Sequence, residues 1–185
     1  MSRRVGLDRA AVVKAAVELV DESRGELSLG DVARRLGVRT PSLYNHVGGL
    51  DDLRRELALL GMRELTGVIL RAAAGRAGID ALSAVAHAYR DWARARPGLY
   101  MATQRAPGAG DEELNAAALE VVNVLAAIFE PLGFSGDDAI HAIRGFRSLL
   151  HGFVALEAAG GFGIPLDLDT SFQRAVQAYV RGLVA

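Results

Sequence analysis

The sequence predicts an all-α fold, and three observations carry that prediction. Alanine is very frequent and hydrophobic types make up 51% of the 185 residues, enough for one compact core or two small packed parts. Apolar positions recur at three- and four-residue spacing, and the alternation that a half-buried strand needs is missing. The breaks between apolar stretches are glycine and proline pairs, or Ser, Thr and Asp residues able to cap a helix. A chain of this length buries roughly 70% of the surface its unfolded form exposes, so it needs neither disulfides nor a structural metal. It contains no cysteine. That excludes thiol nucleophiles, cysteine-ligated zinc, iron–sulfur clusters and a disulfide framework.

The elements follow from local signals. A first helix is expected over 8–23: Asp8 caps its amides, Leu7 and Val12 are placed as a hydrophobic staple, Val12, Val13, Ala16, Val17, Leu19 and Val20 form its apolar face, and Gly25 stops it. Ser28, three residues before Asp31, opens a second helix in capping-box form, with Val32, Ala33 and Leu36 inward until Gly37. The third begins at Thr40-Pro41, with Thr as N-cap and Pro at the first helical position. After Gly48-Gly49, Asp51 or Asp52 starts a helix to about Ala74, with Leu53, Leu57, Leu60, Leu65 and Ile69 as its core side. A break from Gly75 to Gly78 precedes a helix near 80–96, whose stripe is Leu82, Val85, Ala86, Tyr89, Trp92 and Ala93; Pro97-Gly98 stops it. A short segment at 98–104 and a loop from Ala106 to Gly110 lead to Asp111, the cap of a helix at about 112–131. Ser135 and Asp137 start another to about 159, residues 160–165 form a loop, and the last helix occupies about 169–184.

The net charge of −1 identifies no partner, and its distribution is only slightly uneven. Residues 1–55 carry ten basic against eight acidic side chains, and the remainder eleven against fourteen. Such an excess more often decorates solvated helix faces than binds nucleic acid. Met1 to Arg9 has no apolar run, so no signal-peptide core is expected. No stretch of ~18 uninterrupted apolar residues occurs, so no membrane-spanning helix and no membrane partner are expected, and the cytoplasm is the expected compartment.

Ser28 to Val47 carries the functional inference. Two short helices joined by Gly37-Val38-Arg39 have the length and turn chemistry of a helix-turn-helix. On the second helix Pro41, Ser42, Asn45 and His46 fall within an arc of ~140°, with Leu43 and Val47 on the other side. Tyr44 lies at the edge, placed to donate to a phosphate, and Arg39 just before the helix can reach guanine bidentately. A three-helix bundle with a glycine turn and no DNA to bind would share this geometry. The residues themselves narrow the choice. Ser28-Leu-Gly-Asp-Val-Ala-Arg-Arg-Leu-Gly-Val-Arg-Thr-Pro-Ser-Leu-Tyr-Asn-His-Val47, followed by Asp51-Asp-Leu, resembles the DNA-binding domain of the TetR family of transcriptional regulators over roughly residues 8–60.

The resemblance implies a TetR-like all-α fold in which a homodimer binds palindromic double-stranded DNA, more often as a repressor, and responds to a small-molecule effector. It places Thr40, Pro41 and Ser42 at base edges and Tyr44, Asn45 and His46 on the phosphate backbone. Two departures stand out: Gly48, Gly49 and Leu50 replace a basic residue that the family often has, and Gly30 stands where an arginine occurs in the family. Arg3, Arg4, Arg34, Arg35 and Arg39 are the candidates to compensate. Farther along, Arg147-Ser-Leu-Leu-His-Gly-Phe-Val-Ala-Leu-Glu157 and Gly160-Gly-Phe-Gly-Ile-Pro165 resemble a subgroup of TetR-like C-terminal domains with a tryptophan or leucine, histidine, glycine signature.

Residues 1–49 are therefore expected to form the helix-turn-helix domain, and residues 50–185 the ligand-binding and dimerisation domain. In the latter, Gly145, Ser148, Gly152, Ala155 and Ala159 make a seam of small residues. Phe172, Val176 and Tyr179 face one side of the last helix, so that these two helices from two chains would form a four-helix interface. The same seam serves packing within one chain equally well. Tyr89, Trp92, Tyr100, Met101, Phe129 and Phe146 are the candidate walls of an effector pocket, or ordinary core. Catalysis is not expected: there is no Glu-x-x-His pair for a di-iron site, no G-x-S-x-G elbow, no H-E-x-x-H and no P-loop, and no cofactor is implied. A ligand-binding helical dimer that has weakened or lost its DNA affinity is the alternative.

Overall fold

The computed structural model describes residues 7–23, 27–108 and 110–183, which are helical with no strand among them. The elements are α1 (Arg9–Ser23), α2 (Leu29–Leu36), α3 (Thr40–Leu43), α4 (Leu50–Ala73), α5 (Gly78–Ala95), α6 (Pro97–Ala102), α7 (Glu112–Phe129), a 3-10 turn (Glu130–Leu132), α8 (Gly136–Ala158) and α9 (Leu168–Gly182). Every expected helix is present. The expected stop at Gly25 and the basic pair Arg3 and Arg4 lie outside the described residues.

Two boundaries are corrected. The N-cap of α3 is Arg39 and not Thr40, because the Ser42 N–H already bonds to the Arg39 carbonyl at 2.9 Å, which puts Pro41 one residue inside the helix. The helix ends at Leu43 and the chain continues in turns, with the N–H groups of His46 and Val47 both donating to the Leu43 carbonyl. Pro97 opens α6 instead of only stopping α5, since its missing N–H costs nothing in a first turn.

By packing, the chain divides into two compact units. The first comprises Met1–Met62 with Arg96–Asn115. It thus holds more than the helix-turn-helix, and side chains remote in sequence explain why. Asp21 of α1 accepts from Arg96 Nε at 2.8 Å and from the N–H groups of Gly98 and Leu99. A Cβ on Gly98 would overlap the Val20 backbone, so α6 lies against α1 at a distance only glycine permits. Arg55 of α4 forms a two-point pair with Asp111 at 2.7 and 2.8 Å, and Asp111 caps α7 by accepting from the Leu114 N–H.

The second unit comprises Arg63–Ala95 with Ala116–Ala185, and α5, α8 and α9 pack together in it. Ile69, Leu82, Val85, Phe129, Phe146, Phe172 and Val176 are its largest wholly buried side chains. Arg90 of α5 is buried at its centre, bonded through Nε and NH2 to Glu157 of α8 and through NH1 to Asp169 of α9. The guanidinium also lies over the rings of Phe153 and Phe172, 5.3 and 4.9 Å from their centroids. Glu112–Leu132 has the length and hydropathy to cross a bilayer; Leu114, Ala117, Leu125, Ile128 and Phe129 on it are buried, and most of its other residues are half-buried or exposed.

Candidate nucleic-acid interface

Local chemistry sets where the helices of the helix-turn-helix begin and end. The Ser28 hydroxyl accepts from the Asp31 N–H at 3.1 Å and donates to the Asp31 carboxylate at 2.6 Å, closing the start of α2. Gly37 ends it with φ 67°, a left-handed conformation that sends the Val38 N–H back to the Ala33 carbonyl. The inward side of the next turn is then anchored by Leu43 and Val47, both buried against the first unit.

An ion-pair clamp holds this turn from behind. One guanidinium nitrogen of Arg9 donates to the His46 carbonyl and to Asp52, both at 3.0 Å, and the other to Asp52 at 3.1 Å and Glu56 at 2.7 Å. The Arg9 guanidinium, with the Gly48 N–H at 2.8 Å, keeps the Asp52 carboxyl below the usual carboxylate range. Arg9 thus joins the start of α1, the end of the recognition turn and the first turn of α4. Sequence reasoning missed it, although an arginine in one helix and two carboxylates at i, i+4 in another were the available signal.

Arg39, Pro41, Tyr44 and Asn45 are exposed, Tyr44 by 60%, while Thr40, Ser42 and His46 are half-buried beside them. Among the described residues, the side chains of Arg39, Tyr44 and Asn45 have no hydrogen-bond partner. Two of the arginines expected to compensate for Gly30 and Leu50 are instead engaged within the chain. Arg34 pairs with Asp31, and Arg35 with Glu18 and Glu22. Arg39 is the basic side chain this surface presents without a partner among the described residues.

The remaining candidates fall in several places. Tyr89, Trp92, Phe129 and Phe146 are buried in the second unit; the last two stack edge to face at 6.0 Å, and Trp92 Nε1 donates to Glu64 at 3.2 Å. Tyr100 is buried in the first unit, and the neighbouring Met101 is half exposed. On α8, Ser148 and Ala155 are exposed, and a Cβ on Gly152 would meet nothing within 4 Å. Gly145 differs, because Tyr179 of the same chain fills its space: a Cβ there would stand 2.7 Å from the phenol oxygen, which donates to the Ala142 carbonyl at 2.6 Å. Burial pushes that phenol's pKa up. Phe172 and Val176 are wholly buried in the chain's own core and do not reach its surface.

Comparison with known proteins adds to this geometry. Residues 82–179 match the family model described as tetracyclin repressor-like, C-terminal domain. The chain is 35% identical over 186 residues to the uncharacterized HTH-type transcriptional regulator YobS of Bacillus subtilis, covering 100% of this chain and 96% of that protein. It is 37% identical over 172 residues to the uncharacterized HTH-type transcriptional regulator Rv0681 of Mycobacterium tuberculosis, covering 92% and 78%. Among solved structures, a TetR variant of Acinetobacter baumannii in complex with minocycline shares the fold, with a TM-score of 0.72 at 20% identity over 95% of this chain and 96% of that one.

Proposed function

Because the chain belongs to the TetR family of transcriptional regulators and is a DNA-binding regulator, we propose that it is a ligand-responsive repressor that binds a palindromic operator as a homodimer in the cytoplasm. Residues 1–49 supply the DNA-reading surface and residues 50–185 the dimer and effector functions. The observation that carries the reading is the exposed face of Arg39, Pro41, Tyr44 and Asn45, on a turn fixed from within by Leu43 and Val47 and from behind by Arg9. Thr40, Pro41 and Ser42 read bases, Arg39 reaches a guanine or a phosphate, and Tyr44, Asn45 and His46 hold the backbone. Two such faces related by a two-fold axis require half-sites one helical turn, ~10 bp, or more apart.

The dimer uses Ser148 and Ala155, which α8 leaves exposed, and the half-buried Gly152, with the outer side of α9. Gly145, Phe172, Val176 and Tyr179 support those helices from within the chain. Leu150-His151-Gly152 marks the subgroup. The effector is an apolar small molecule held beside Tyr89, Trp92, Phe129 and Phe146. That the related A. baumannii protein binds minocycline supports a small-molecule effector here, without naming it.

Selection of binding sites from random duplex DNA, followed by titration of variants, tests the reading. Ser42→Ala should change base preference, and Tyr44→Phe should weaken all sequences alike, because base contacts specify and phosphate contacts position. A non-palindromic selected site, or an equal loss of specificity in both variants, would refute it.

A further inference from the structure

We infer that the first unit carries a second small-molecule site, a cleft of about 690 Å³ that takes an amphipathic organic anion. The volume lies within the range of ligand pockets, about 300–1,000 Å³. Its floor is apolar, built by Val20 of α1, Leu27, Leu57 and Ala58 of α4, and Leu114 of α7. Met101 of α6, one of the few large apolar side chains left half exposed, also lines it. A molecule with a hydrocarbon or aromatic body would cover that surface.

The rim sets the charge of the occupant. Arg54, Arg55 and Arg105 line the cleft, against the carboxylates of Asp51 and Asp111. Arg55 is spent on Asp111 and Glu113, and Arg54 lies 3.2 Å from Asp51. Arg105 is exposed and, among the described residues, has no hydrogen-bond or ion-pair partner. An unpaired guanidinium beside an apolar floor recognises a carboxylate, sulfonate or phosphate joined to an apolar body. Neither a cation nor a fully polar anion satisfies both halves. The site is separate from the effector position beside Trp92 and does not depend on it.

Two fluorescent probes test this on the full-length protein: 8-anilinonaphthalene-1-sulfonate, an aromatic anion, and N-phenyl-1-naphthylamine, its uncharged counterpart. The sulfonate should bind the parent protein at one saturable site, more weakly as salt rises. Arg105→Glu should weaken it about tenfold while changing the uncharged probe less than about twofold. Met101→Glu should weaken both. Both residues are exposed, so the variants should keep the parent's circular dichroism, and Arg144→Glu on α8 serves as a charge control outside the cleft. The inference is overturned if Arg105→Glu leaves sulfonate binding unchanged, if it weakens both probes alike, or if Arg144→Glu matches it. A sulfonate signal displaced only by a compound that also quenches Trp92 would place binding elsewhere and overturn it too.

Discussion

Replacing Arg90 with methionine should destabilise the protein by about 3–5 kcal/mol, the cost of removing one partner from a buried ion pair. Arg90 has a side-chain exposure of 4% and Glu157 15%, so loss of the guanidinium strands a carboxylate that water reaches poorly. Two of the three guanidinium bonds go to Glu157, at 2.8 and 2.7 Å. The third goes to Asp169, which is 76% exposed, and solvent screening limits its share. Asp169→Asn should therefore cost less than about 1 kcal/mol. Replacing both Arg90 and Glu157 with methionine removes the stranded charge and should recover most of the loss, since an apolar pair of similar volume commonly matches a buried ion pair. With Glu157→Met added as the second single variant, urea unfolding at fixed protein concentration, followed by Trp92 fluorescence and circular dichroism, measures all five proteins. The Arg90 guanidinium also holds the Glu157 carboxyl below its ordinary range. The pair's contribution is then complete above the unfolded carboxylate value of ~4.3 and lost as pH falls through the lower folded value, so parent and Arg90→Met should converge on acidification. A cost below about 1 kcal/mol for Arg90→Met, or a double variant as unstable as the two single losses summed, would refute the reasoning.

Three further outcomes follow from other contacts. Arg9→Ala removes bonds from a side chain 44% exposed, so it should cost only about 1 kcal/mol of stability, yet it frees the His46 carbonyl and should weaken DNA binding at least about fivefold in an anisotropy titration. Equal DNA affinity in parent and variant would show that the clamp does not position the turn. At Gly152 an added Cβ would meet nothing within 4 Å, and Gly152→Leu gains helix propensity of up to about 1 kcal/mol, so the monomer should stay folded while light scattering reports half the mass; a persistent dimer would put the interface elsewhere. Gly98→Val forces a side chain into the Val20 backbone, and overpacking of that kind typically costs about 1–3 kcal/mol or more. A melting temperature unchanged from the parent would contradict the α1 to α6 packing.

The residues that announce themselves in sequence are those whose chemistry acts locally. Ser28, Gly37 and Asp111 close or end helices through bonds within a few residues, so the element order and the two short helices around a glycine turn were legible from spacing, and the family resemblance of their residues marked them as a helix-turn-helix. The outward side of the turn was legible for the same reason, because Leu43 and Val47 fix which side points inward. What spacing does not carry is which distant partner a charged side chain meets. Arg34 and Arg35 look in sequence like phosphate contacts, and nothing in sequence marks Arg9; the fold pairs Arg34 with Asp31 and Arg35 with Glu18 and Glu22, and brings the His46 carbonyl to Arg9. The same gap explains Gly145 and Phe172. A stripe of small residues and an apolar face read alike whether the neighbour is a second chain or the chain's own Tyr179, and only the placement of that phenol decides between them. Asp21, Arg55 and Arg90 belong with Arg9: each joins segments more than 50 residues apart or closes a unit that no local pattern delimits. In this protein charge therefore does two kinds of work. Paired arginines assemble the units, whereas Arg39 on the outward side of the turn and Arg105 at the cleft, exposed and without partners among the described residues, remain open to other molecules.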